Sequence, residues 1–290
     1  MDASELLKKV RKIEIKTKGL TNHIFSGQYH SAFKGRGMAF SEVREYNIGD
    51  EIRSIDWNVT ARHNHPYIKV FEEERELTVM LLIDVSNSNN FGTQHQLKSD
   101  LITELAAVIS FSAISNNDKV GVIFFSNKIE KFIPPKKGKT HILRIIRELI
   151  DFKPENTETN IAEALKYLTN VIKKKCTAFV ISDFIDKDFM KPLQIANKKH
   201  EIIALKISDV REYDMPNVGI IKLKDAETNN LVWVDSSSKT FREQYKKSWV
   251  IRDAHLNNTF MKSGVDFTTI RTDMDYIKPL ISLFKKRSYK

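Results

Sequence analysis

The sequence predicts an α/β fold: a doubly wound, mostly parallel sheet, with a loop-rich N-terminal extension and an inserted β-hairpin. Two observations carry this expectation. Four continuous apolar runs, TVMLLID (78–84), KVGVIFFS (119–126), TAFVISD (177–183) and EIIALKISD (201–209), read as strands buried on both faces. Between them lie segments with helical apolar spacing, and that alternation is the mark of a parallel sheet covered on both sides.

Taken in order, residues 4–18 read as a short basic amphipathic helix, with Leu6, Leu7, Val10 and Ile13 on one face and Ser4 at its start. Residues 19–77 read as irregular, rich in turn signals (Gly27, Gly35, Gly37 and the Asn47-Ile-Gly49-Asp50 stretch) and paired charges. The first buried strand ends in Asp84, and residues 94–115 follow as a helix with Leu97, Leu101, Leu105, Val108 and Ile109 at apolar positions. After the second strand, IEKFIPP (129–135) reads as an edge strand ended by prolines. Residues 140–150, 160–174 and 187–199 read as helices. VGIIKLKD and NLVWVD, flanking Glu227 to Asn230, read as the hairpin. A long helix over 239–262, a strand over 265–273 and a closing helix over 275–287 complete the chain. We divide it into an extension, 1–75, made of the basic helix and an irregular or β segment, and an α/β domain, 76–290.

The 290 residues hold one cysteine, which excludes an internal disulfide framework and a thiolate zinc cluster. No apolar run approaches the roughly 20 residues that span a bilayer. The N-terminal MDASELLKKVRKIEIK carries charges where a signal peptide needs an apolar stretch. The expectation is a cytoplasmic protein without a membrane span. The formal net charge of +10 invites a nucleic-acid reading, but residues 1–40 hold +5 of it and residues 281–290 hold +4. The body is nearly neutral, whereas a groove binder carries its excess along a folded face, interleaved with stacking aromatics. Nucleic acid is therefore disfavoured as a partner.

Open α/β sheets bind ligands at the carboxyl ends of their strands. Here the first strand runs into Asp84-Val-Ser86-Asn-Ser88, the third ends at Ser182-Asp183, and Thr159 stands before the helix that begins at Asn160. Residues two apart in a strand are ~6.7 Å from each other. Ligands of one Mg²⁺ lie ~2.1 Å from the ion, so the chain must curl directly after Asp84. Asn87, Asn89 and Asn90 favour such a turn. Hydroxyls from Ser86, Ser88 and Thr159 with carboxylates from Asp84 and Asp183 form an all-oxygen set suited to Mg²⁺ or Mn²⁺, bound by the free chain or only together with a partner. Two carboxylates just neutralise a divalent ion, and an acidic side chain from another protein is a favourable further ligand.

This arrangement resembles the metal-ion-dependent adhesion site of the von Willebrand factor type A domain, a Rossmann-like fold, over residues 76–287. The match is weaker at Thr159, which follows Thr157-Glu158 where many members of that family have glycines. A second resemblance lies upstream. Gly35-Arg-Gly37, Phe40, Arg44-Glu-Tyr46, Gly49-Asp50, Arg53, Ile55-Asp56-Trp57 and Ala61-Arg62, with the later Ser182-Asp183-Phe184, resemble the bacterial family known as domain of unknown function fifty-eight. Its members are typically paired with MoxR-type AAA+ ATPases, so the resemblance implies such an ATPase, or its substrate protein, as a partner. Arg44, Asp50, Arg53, Asp56 and Arg62 are expected to form a charge network with Trp57 as its apolar anchor, or else a partner-binding surface.

Other signals point away from catalysis. Gly138-Lys139-Thr140 resembles the end of a phosphate-binding loop, but Ile133 and Pro134-Pro135 occupy its opening. His63-Asn-His65 reads as a turn, and Cys176 lacks a neighbouring His pattern to activate it. The expected function is a non-enzymatic interaction module with a Mg²⁺-dependent adhesion-type site. The alternative is a Mg²⁺-dependent hydrolase or phosphotransferase with Asp84 as nucleophile, for which Ser86 stands where an acid–base carboxylate is needed.

Overall fold

The structure, a computed structural model, describes residues 8, 10–14, 39–63, 65–72, 76–92, 96–155, 158–224 and 231–288. The chain forms two compact units, one of residues 33–76 and the other of residues 1–32 together with 77–290. Of the basic N-terminal helix, residues 8 and 10–14 are described and are helical. The glycines at 27, 35 and 37 and the hairpin tip at 227–230 lie outside the described residues.

The unit of residues 33–76 is more ordered than its composition implies. Strand β1 (Ala39–Glu45) pairs antiparallel with β2 (Tyr67–Glu72), with a bulge between Phe40 and Glu42. Between the strands come a turn at Asn47–Asp50, where Gly49 takes φ +110°, and helix α1 (Trp57–His63). Asp56 starts that helix: its Oδ1 accepts from the Asn58 N–H (3.0 Å). An isolated bridge ties Ile55 to Ile68, which is buried. The β part of this segment is the β1–β2 pair, and the rest holds turns and helix α1. The two strands are short, and their pairing joins residues more than twenty positions apart.

The larger unit is built on a six-stranded sheet. Its strands are β3 (Thr78–Asp84), β4 (Lys119–Phe125), β5 (Ile129–Lys136), β6 (Thr177–Ser182), β7 (Glu201–Ser208) and β10 (Asp266–Arg271), in the order β10-β7-β6-β3-β4-β5. All neighbours are parallel except β5, an antiparallel edge strand containing Pro134 and Pro135. Proline is tolerated there because an edge leaves ladder positions without a partner. On one face Met80, Leu82, Ile123, Phe125, Ala178 and Val180 pack against helices α4 (Ile161–Val171), α5 (Met190–Lys199) and α7 (Lys239–Lys262). On the other lie α2 (Lys98–Ser115) and α8 (Ile277–Ser288), the latter through an edge-on contact of Phe284 with Phe179. Helix α3 (Lys139–Asp151) lies beside α2, and the short α6 (Val210–Tyr213) follows β7. The hairpin strands β8 (Ile220–Lys224) and β9 (Leu231–Asp235) pair with each other in a separate two-stranded sheet.

Gly121 of β4 is required by packing. A Cβ there would stand 2.8 Å from Met80 Sδ and 2.8 Å from the Pro135 nitrogen.

Candidate metal centre

The direction in which the chain fills the sheet reverses between β3 and β6, and that point is where open α/β sheets form a ligand crevice. Asp84 closes β3 and Ser182 closes β6. Ile83 lies in register with Ile181, so the two ends are adjacent. Asp84 is 1% exposed. Its Oδ1 accepts from the Ser86 N–H (3.0 Å), and its Oδ2 accepts from the Ser182 hydroxyl (2.6 Å). Burial, and then the negative charge of Asp183, push the Asp84 carboxyl up to about 6.

The chain curls at once after Asp84, through a 3-10 turn over Asn87–Asn90. This brings the buried hydroxyls of Ser86 and Ser88 within 3.1 Å of each other. Asn89 braces the turn by donating from Nδ2 to the Asp84 carbonyl (3.0 Å). Thr159 is held above the neighbouring strand ends. The Asn160 N–H donates to the Ser126 carbonyl after β4 (2.9 Å), while Thr159 lines a cleft of about 790 Å³ with Phe184, Ile185 and Asp186, which follow β6. Strand β3 lies between those two strands. Thr159 Oγ1 is buried and has no hydrogen-bond partner among the described residues.

Asp183 is engaged differently from its neighbours. Its Oδ1 accepts from the Ile185 N–H (3.3 Å), and its Oδ2 accepts from Lys98 Nζ (3.1 Å). Lys98, at the start of α2, is 0% exposed and also pairs with Glu212 of α6. Burial works against the ammonium, but the carboxylates of Asp183 and Glu212 more than offset it and hold Lys98 charged. Burial raises Glu212, and Lys98 counters part of that rise. Sequence reading passed over Lys98. Its signal was its spacing: it falls three and seven residues before Leu101 and Leu105, on the apolar stripe of its helix.

The residue after Asp183 bends the chain. Phe184 takes φ +56°, a left-handed conformation rare for an aromatic residue, while its side chain is buried against Phe189 and Phe260. Such strain gathers at sites where backbone direction matters. Its N–H donates to the Ser182 hydroxyl (2.9 Å), so the bend also fixes the donor that faces Asp84.

The residues present fit a hard divalent cation. All candidate donors are oxygens, the Thr159 hydroxyl is buried and unsatisfied among the described residues, and Asp183, whose charge acts on Asp84, shares the ammonium of Lys98 with Glu212. Among the described residues no group of three or more His, Cys, Asp and Glu side chains could hold a metal. Any ion at this rim would depend on hydroxyls.

In the smaller unit the expected charge network divides. Arg44 grips Asp50 with two bonds of 2.8 Å, and the guanidinium holds the Asp50 carboxyl below its usual range. Asp56 pairs with Lys69 (3.3 Å). Arg53 and Arg62 are exposed and form no ion pair among the described residues. Trp57, at the start of α1, is 67% exposed, and Asp56 caps the helix. Elsewhere, the Cys176 sulfur lies 3.3 Å from His200 Nδ1, a neighbour that sequence spacing does not reveal. Burial pushes the thiol up to about 12 and His200 down to about 4, so this pair is a neutral core contact.

The sheet order, the turn after Asp84 and the Ser182-Asp183 end define a von Willebrand factor type A-like domain. The family match narrows this. Residues 42–254 match the family described as "Protein of unknown function DUF58", and the chain belongs to it. A relative, "Uncharacterized protein Rv1480" of Mycobacterium tuberculosis, is 27% identical over 290 residues, covering 99% of this chain and 91% of its own length. Among solved structures, an aerotolerance-related membrane protein from Bacteroides fragilis aligns with 73% of this chain and 98% of its own, at 15% identity and a TM-score of 0.50. The SpRpn10 VWA domain aligns with 73% of this chain and 95% of its own, at 9% identity and a TM-score of 0.38. No helix among the described residues is long and apolar enough to cross a membrane.

Proposed function

We propose that this protein is a non-enzymatic interaction module, working in the cytoplasm, that captures an acidic side chain of a partner through a divalent cation. Asp84, Ser86, Ser88, Thr159 and Asp183 would hold Mg²⁺ or Mn²⁺. When bound, the ion supplies an electrophilic position for a carboxylate from outside. The observation that carries the reading is the convergence of the Ser86 and Ser88 hydroxyls directly after Asp84, and a buried Thr159 hydroxyl without a hydrogen-bond partner among the described residues supports it. The chain's own part is to position oxygens: Asn89 and the 3-10 turn aim the two serines, and Ser182 locks the Asp84 rotamer.

The partner in this reading is a MoxR-type AAA+ ATPase or the protein it acts on. We take residues 1–75 as an extension to the domain of 76–290. Within it, the Arg44–Asp50 pair pins the turn and Asp56 caps α1, while Arg53, Trp57 and Arg62 offer an exposed recognition surface. The alternative, an Asp84 nucleophile, is disfavoured because both carboxylate oxygens are hydrogen-bonded and the residue is buried.

The test is retention of a purified MoxR-type ATPase from the same organism, in Mg²⁺ and in EDTA, on wild type and Ser86→Ala. Retention lost both with EDTA and in Ser86→Ala is expected. Equal retention in all conditions overturns the reading. Metal-dependent phosphatase turnover lost in Asp84→Asn would favour the hydrolase.

A further inference from the structure

Lys98 is buried without measurable exposure, and it sits against a carboxylate that the cation reading assigns to the ion. Its ammonium lies 3.1 Å from Asp183 and also pairs with Glu212. Glu212 is firmly placed. Its Oε2 accepts from the Asp209 N–H (2.9 Å), Asp209 Oδ1 accepts from the Arg211 N–H (2.9 Å), and the Thr272 hydroxyl donates to Asp209 Oδ2 (2.5 Å). The lysine therefore bridges two fixed acids, one at the rim of the sheet and one on α6. Ionised Asp84, Asp183 and Glu212 against one ammonium leave two negative charges without a counter-charge in this cluster, the amount a divalent ion would neutralise.

We propose that Lys98 is a built-in counter-ion: it bridges Asp183 and Glu212 when no divalent cation is bound and is left to Glu212 alone when one takes up Asp183, so that cation binding at the rim is coupled to α6. The proposal rests on the adhesion-site reading and deepens it by naming what sets the site's cation affinity. Lys98 is a positioning residue here, acting on the ion through Asp183. Two substitutions then act with opposite sign. Lys98→Met removes a competing positive charge and frees Asp183. Glu212→Gln removes a negative charge and leaves the ammonium to Asp183 alone. A purely structural lysine has no reason to produce opposed effects.

The experiment titrates Mn²⁺ into the intact, EDTA-stripped protein by calorimetry, with melting followed by circular dichroism. Wild type, Lys98→Met, Glu212→Gln and, as a control, Ser86→Ala are compared. Lys98→Met is expected to bind Mn²⁺ about tenfold tighter or more, and Glu212→Gln about tenfold weaker, as befits one unit charge removed from a cluster that includes a carboxylate assigned to the ion. Ser86→Ala should lose binding. Should Lys98→Met fold only when Mn²⁺ is present, that recovery supports the proposal, and Glu212→Gln still supplies the opposing measurement. Wild-type binding that Ser86→Ala abolishes, with affinity unchanged in Glu212→Gln or not tightened in a folded Lys98→Met, overturns the proposal and leaves the adhesion site standing. Absence of Mn²⁺ binding in all four proteins overturns both.

Discussion

Replacing Asp84 by Asn removes a charge that the fold holds at an energetic cost. The carboxyl titrates at about 6 in the folded protein, against an ordinary value of 3.8, because it is buried and faces Asp183. The native state therefore keeps a proton that the unfolded chain has released. Stability falls as pH rises from about 4 to about 6, and the full deficit, about 3 kcal/mol, is present above that range. Asn is neutral at every pH and avoids this penalty. It keeps an acceptor for the Ser86 N–H but mismatches the Ser182 hydroxyl, a loss of about 1 kcal/mol. In EDTA, Asp84→Asn should thus be about 2 kcal/mol more stable than wild type at pH 7.5, and no more stable at pH 4. Urea denaturation at the two pH values measures this. Adding Mn²⁺ at pH 7.5 should stabilise wild type and leave the variant unmoved. A variant less stable than wild type at pH 7.5 in EDTA would refute the reasoning about the buried charge.

Other substitutions test particular contacts. Phe184→Ala should lose about 3 kcal/mol of stability in urea, and Phe184→Gly no more than that, because glycine accepts φ +56° freely; a markedly worse glycine variant would argue against strain at this bend. Gly121→Ala should cost about 1–3 kcal/mol, read as a lowered Tm, since its methyl has no room beside Met80 and Pro135. Trp57→Ala should change stability by less than about 0.5 kcal/mol while weakening partner retention, as befits an exposed side chain. Cys176 should resist an aromatic disulfide reagent at pH 8 until the protein is unfolded by urea.

The sheet was readable because its central strands are apolar on both faces, a pattern that a partly solvated strand lacks. The long helix over 239–262 and the paired strands on either side of residues 225–230 follow the expected bounds. What escaped reading was long-range pairing. Strands β1 and β2 find each other across a turn and a helix, and nothing in either short run announces the other. The Asp84, Ser86 and Ser88 turn was legible from spacing and asparagines alone. Lys98 was not, because a lysine in a helix is ordinarily read as solvated. Only the acids it meets, 85 and 114 residues further on, justify its burial.

The place of the rim has a mechanical consequence. Asp84 and Ser182 terminate the two middle strands, so a force applied at this rim along the strand axes acts on the centre of the sheet. Strand β3 is registered with seven residues of β4 on one side and five of β6 on the other. Tension applied at its end loads these ladders in shear, all rungs together, instead of opening them one by one as a zipper would. Strands loaded in this way resist tension at their ends far better than an edge strand resists being peeled away.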